Sequence, residues 1–165
     1  MKRLTPIFKF RAMMIFFITA LALSGITAFP LLLELRLLAQ FVDFLGMPLD
    51  SGLSTWIHRV HEGLEVTYRH YPWLAYGTDW LAFGHLVIAV FFIGPLVEPK
   101  TGRWTLITGL IACLGIFLLA FICGPIRGIP FFWRLIDCSF GFFGIFPLLY
   151  CLKLQREIML EAVTE

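Results

Sequence analysis

Charge is scarce in this sequence. Asp, Glu, Lys and Arg make up 15% of it against 59% apolar residues, and the mean hydropathy is +0.87. An ordinary soluble domain carries roughly a quarter charged residues. A chain of 165 residues in water has no means of covering this much apolar side chain. The net charge of +2 is too small to attract a polyanion, and no basic stripe alternates with aromatics, so the pattern argues against a nucleic-acid partner. Cysteine never occurs as a Cys-x-x-Cys pair, which argues against a thioredoxin-type or quinone-coupled disulfide catalyst. There is no glycine-rich phosphate loop, no nucleophile–base signature and no Glu-rich di-iron pattern.

What is present is a set of long apolar runs. The hydrocarbon core of a bilayer is ~30 Å thick and a helix rises ~1.5 Å per residue, so about 20 apolar residues make a span. Four stretches meet that length, at about residues 12–33, 80–97, 104–123 and 135–152. They predict an all-α protein, a four-helix transmembrane bundle forming one membrane domain over residues 1–165. Glu98-Pro-Lys-Thr-Gly-Arg103 is short enough to make an antiparallel hairpin of the second and third spans. A cleavable signal peptide competes for the first span, since Ala22-Leu-Ser24 resembles a small-residue cleavage site. The apolar run continues to Leu33, longer than a usual signal core.

Basic residues set the orientation. With the N-terminus inside, the inner segments hold Lys2, Arg3, Lys9, Arg11, Lys100, Arg103, Lys153 and Arg156, which include all four lysines. The outer segments hold Arg36, Arg59, Arg69, Arg127 and Arg134, together with most of the acids. The expectation is N-in, C-in.

The outer segment at residues 34–78 is too polar to span and too patterned to be a loose loop. Leu53, Trp56, Ile57, Val60, Leu64, Tyr68 and Tyr71 fall at helical spacing, with His58, Glu62, Glu65 and Arg69 opposite. Asp50 or Ser51 caps the start and Pro72 ends the helix. A shorter amphipathic helix, about residues 35–45, precedes it and stops at Gly46-Met-Pro48. Both belong on the outer face, lying on lipid or capping the bundle.

Ionisable groups at membrane depth need a reason, because each is costly there. His85 lies six residues inward from Asp79, between the small residues Ala82 and Ala89 that suggest a packed face. It suits a haem or metal ligand, a proton-transfer group or a quinone partner; the plainer reading is a neutral histidine bonded to a neighbouring helix. Asp79 and Asp137 each open a span, where a carboxylate caps free amides and meets the helix dipole. Arg127 and Arg134 frame Gly128-Ile-Pro-Phe-Phe-Trp133. They suit a phosphate or another anion, or else anchor the interface beside Trp133 and pair with Asp137. His58, His61, Glu62 and Glu65 form a loose metal-like cluster. His61-Glu-Gly-Leu-Glu65 begins like a zinc-protease motif but has Glu where the second His belongs, and a solvated helix face explains the group as well. Cys123 and Cys138 stand at the two ends of one outer connection, where an oxidising compartment would allow a disulfide. Small residues at Ala20, Ser24, Ala28, Gly141 and Gly144 mark close helix packing.

Asp79-Trp-Leu-Ala-Phe-Gly-His85 through Pro95, with Arg127-Gly-Ile-Pro-Phe-Phe-Trp-Arg-Leu-Ile-Asp-Cys138-Ser-Phe-Gly141, resembles a group of uncharacterised bacterial four-helix inner-membrane proteins. The resemblance implies a bacterial inner membrane and carries no activity. Two functions fit the residues. One is an accessory or scaffold subunit, or a lipid-interacting protein, whose partners are the bilayer and other membrane subunits or further copies of itself. The other is a redox or metal-, haem- or quinone-dependent enzyme with a site in the outer leaflet around His85, supported by Asp79, Arg127, Arg134 and Asp137. No catalytic constellation is complete and no cofactor is identified, so the first is preferred.

Overall fold

The structure is a computed structural model that describes residues 5–164, and side chains up to residue 162. Lys2, Arg3 and Glu165 lie outside the described residues. The chain is helical throughout, with no strand among the described residues. Helices α1 (Pro6–Ala28), α2 (Leu31–Phe44) and α3 (Gly52–His70) come first. A 3-10 turn at Pro72–Leu74 then leads into α4 (Ala75–Phe91), followed by α5 (Ile93–Val97), α6 (Arg103–Ile126) and α7 (Phe131–Thr164).

Four helical segments are long and apolar enough to cross a membrane: Pro6–Ala28, Pro72–Val97, Arg103–Ile126 and Phe131–Ala162. Their limits correct the expected ones. The first span ends at Ala28, not Leu33, because Pro30 has no N–H to donate and its ring disfavours helical backbone at Phe29. Leu31, Leu32 and Leu33 therefore begin α2. The second span starts earlier than Trp80, since Pro72 opens a turn that feeds directly into α4. The fourth helix runs 34 residues, about 51 Å at the helical rise, far past Leu152.

Local chemistry sets the remaining ends, including that of α6 at Ile126, past the expected Cys123. Ser51 caps α3, its hydroxyl oxygen accepting from the Ser54 amide at 3.3 Å. Helix α2 closes on Gly46 at φ 64°, with the Gly46 amide donating to the Asp43 carbonyl and the Met47 amide to the Val42 carbonyl. Helix α6 ends in the same way. Gly128 takes φ 69°, the Gly128 amide donates to the Pro125 carbonyl, and the Ile129 amide donates to the Gly124 carbonyl. Both are paired closures that satisfy the orphan carbonyls of a last turn, and only glycine enters that conformation without strain.

The chain divides into two compact units, one holding the residues up to Ala20 and from Ile88 onward, the other Leu21–Val87. In the first, α6 and α7 form the principal helix pair. Glycines permit it: a Cβ at Gly141 would fall 2.6 Å from the Cys113 carbonyl oxygen, and one at Gly144 would fall 2.9 Å from the Cys113 Sγ. Gly109 receives the ring of Phe92 and a methyl of Leu148, and Gly102 abuts Pro95, which closes the α5–α6 hairpin. One end of this unit is tied together by polar contacts. The Arg11 guanidinium donates to the Val97 carbonyl, the Gln155 side-chain amide donates to the Pro99 carbonyl, and the Cys151 thiol approaches the Phe10 carbonyl. Cys151, Leu154, Gln155 and Ile158 form the buried stripe of α7 that makes this end.

In the second unit, α2 packs on α3 through Leu35, Ala39 and Val42 on one side and Ser54 and Ile57 on the other. Tyr71 does not continue the apolar stripe of α3; it lies beyond the helix end and is exposed, because Pro72 halts the helix. Gly25 of α1 meets α4, where a Cβ would come within 2.9 Å of both the Ala82 carbonyl oxygen and the His85 Cβ.

Candidate functional site

Three groups of residues carry what chemistry the chain has. The first surrounds His85. Ala82 is fully buried against the Gly25 crossing and Ala89 is nearly so, which agrees with a packed face at this height. The imidazole Nδ1 lies 2.9 Å from the Leu81 carbonyl of its own helix. The hydrogen bond of the ring is thus made within its own helix and not to a neighbouring one. Asp79 does not open its helix: α4 begins at Ala75, which puts the carboxylate about one turn inside. It lines a cavity of about 310 Å³ with Phe29, Tyr76, Trp80 and Phe83. Edge-to-face contacts of Trp80 with Tyr76 and Phe83 order those rings.

The second group lies on α2 and α3. His58 was expected to share a polar face with Glu62 and Glu65. Its Nε2 is 3.0 Å from a carboxylate oxygen of Asp43 on α2, an approach that follows from the packing of the two helices. Glu65 pairs with Arg69 at 3.3 Å, one turn along, in the favourable order. His61 turns inward, and its Nε2 is buried with no hydrogen-bond partner. Two of the four supposed ligands are thus engaged elsewhere, and no group of three or more His, Cys, Asp or Glu gathers to hold a metal among the described residues.

The third group stands where α6 passes into α7. Asp137 lies nearly two turns inside α7, which begins at Phe131, so it does not cap that helix either. Neither Arg127 nor Arg134 forms an ion pair with it; among the described residues the ion pairs are His58–Asp43 and Glu65–Arg69. The reason is the direction of helical side chains, which lean toward the N-terminus. Arg134 therefore folds back over the Phe131 ring, 5.2 Å from its centroid, and lies across Gly124. Its Nε is buried without a hydrogen-bond partner. Asp137 and Arg127 instead line one cavity of about 210 Å³ with Ile116, Leu119, Ala120, Cys123, Gly124 and Ile129. All four cysteines are free thiols, Cys123 exposed and Cys113, Cys138 and Cys151 buried.

Gln155 was not anticipated. It is almost fully buried and bonds the Pro99 carbonyl. Its place at i+4 from Cys151 and one residue from Leu154 is the only sequence signal that would have marked it. Compared with protein-family models, with curated proteins and with solved structures, the chain matches none.

Proposed function

We propose that this chain is an integral protein of a bacterial inner membrane, crossing it four times with both ends in the cytoplasm. It serves there as an accessory or scaffold subunit that engages lipid and other membrane components, without catalysis of its own. One observation carries the reading. The start of α1, the α5–α6 turn and the last third of α7 are bonded into one end of the first unit. Those segments hold Lys9, Arg11, Lys100, Arg103, Lys153 and Arg156. Basic residues gathered at one end are the mark of a cytoplasmic face. Its opposite end, one α6 length away, holds Arg127 and Asp137 but no lysine.

The exposed surface supports the same reading. Only 11% of the first candidate span and 22% of each of the others is buried inside the chain. Side chains such as Phe16, Val90, Leu118 and Phe143 are left uncovered, as lipid or a partner helix requires. The resemblance of the segments at 79–95 and 127–141 to bacterial inner-membrane proteins fits this assignment. Reporter fusions test it. Fusions after Lys100 and after the C-terminus are expected to report cytoplasm, and one after Asp50 periplasm; a cytoplasmic signal at Asp50 overturns the orientation.

A further inference from the structure

We infer that the cavity at the α6–α7 connection binds the headgroup of an aminophospholipid, the phosphate on Arg127 and the primary ammonium on Asp137. The inference rests on the membrane reading above and adds a ligand class to it. The cavity has charge of both signs on a greasy floor. Ile116, Leu119 and Ala120 line it along α6, Arg127 and Ile129 line it from the connection, and Asp137 from α7. The backbone builds this arrangement: closure of α6 on Gly128 turns the chain, and the two residues flanking the glycine, Arg127 and Ile129, both line the cavity.

The charges are unspent. The guanidiniums of Arg127 and Arg134 have no carboxylate partner among the described residues, and neither does Asp137 have a cation. Arg134 lies outside the cavity lining: its side chain crosses Gly124 and stacks on the Phe131 ring, and its buried Nε has no acceptor. Arg127 and Asp137 line one cavity with no ion pair between them. Held apart, they match a ligand that carries a phosphodiester and an ammonium a few atoms from each other. Guanidinium meets phosphate through a planar fork of donors, and an ammonium meets a carboxylate as a compact point charge. The apolar side at Ile116 and Leu119 suits the first methylenes of an acyl chain. A free anion has no use for that wall, and an anionic lipid has none for Asp137.

Full-length protein in detergent, titrated with defined lipids and read by native mass spectrometry, tests the inference. The probes are phosphatidylethanolamine, phosphatidylglycerol and phosphatidylcholine, with inorganic phosphate as competitor. Phosphatidylethanolamine is expected to bind roughly tenfold more tightly than phosphatidylglycerol, as one charge-assisted hydrogen bond implies. Asp137→Asn should erase that preference and leave phosphatidylglycerol binding in place. Arg127→Gln, at an exposed position, should weaken both lipids by a similar factor, and Arg134→Gln, outside the cavity lining, should weaken them less. Equal binding of all three lipids, or a preference that survives Asp137→Asn, overturns the inference. So does ready displacement by inorganic phosphate, which would mark a plain anion site. Alkaline extraction of membranes carrying the same variants separates the two readings. Release of the chain without detergent sinks the membrane assignment, whereas a chain that stays in the membrane with no lipid preference sinks this proposal alone.

Discussion

Gly141 sits where α7 crosses α6, and a Cβ there would be 2.6 Å from a main-chain oxygen, that of Cys113. Backbone has no alternative rotamer to adopt, so the helices would have to part. Gly141→Ala is expected to lower stability by about 1–3 kcal/mol, the range for overpacked cores. Gly63, inside α3, has nothing within 4 Å of its Cβ position. Gly63→Ala should raise stability by up to about 1 kcal/mol, the helix-propensity difference. Thermal unfolding of the two variants in detergent checks both signs; a neutral Gly141→Ala would mean that the crossing is loose. Gly141 and Gly144 were legible as packing residues from their size alone. In α1 the same reasoning pointed at Ala20, Ser24 and Ala28, yet the fully enclosed small residue is Gly25. A shift of one residue turns a helix face by ~100°, and nothing in the first span's uniformly apolar sequence says which way it faces.

Several element ends were readable where a residue type dictates backbone geometry, although the stop at Pro30 was not, and others were misjudged where packing continues a helix through polar sequence. Ser51, Gly46 and Pro72 mark boundaries the structure keeps, whereas the closure on Gly128 was not read as one. Asp79 and Asp137 looked like caps because each begins an apolar run, but α4 and α7 start earlier, at Ala75 and Phe131. Helix α7 outran its expected end because Lys153, Gln155, Arg156 and Glu157 dilute the apolar count while Leu154 and Ile158 keep the stripe going. Gln155 is the polar member of that stripe, and its bond holds the α5–α6 turn against α7. Gln155→Leu leaves the buried Pro99 carbonyl without its donor and is expected to cost about 1–3 kcal/mol. Arg156→Ala, at the exposed neighbouring position, should stay within about 0.5 kcal/mol. Unfolding midpoints that do not separate the two would remove Gln155 from the list of structural contacts.

For the molecule as a whole, thiol reactivity reports on the arrangement of the helices. Cys123 is exposed near the end of α6, whereas Cys113, Cys138 and Cys151 are buried. Folded protein in detergent is expected to take up one maleimide per chain, on Cys123, and the remaining three only after unfolding; peptide mass spectrometry locates the adducts. A Cys123 that reacts only after reduction would show it bridged, as its spacing from Cys138 suggests, and would contradict the free thiols of the structure. By itself the sequence determined that the chain is all helical, that four segments are long and apolar enough to cross a membrane, and that helices stop at Gly46 and Pro72. Composition and backbone stereochemistry are local properties, and each residue carries them wherever it sits. Only the tertiary structure decided that His58 meets Asp43, that Gln155 reaches Pro99, and that Arg127 and Asp137 share a cavity without pairing. Those outcomes depend on the rotation of each helix about its own axis, which is set by the shapes of the surfaces that pack together.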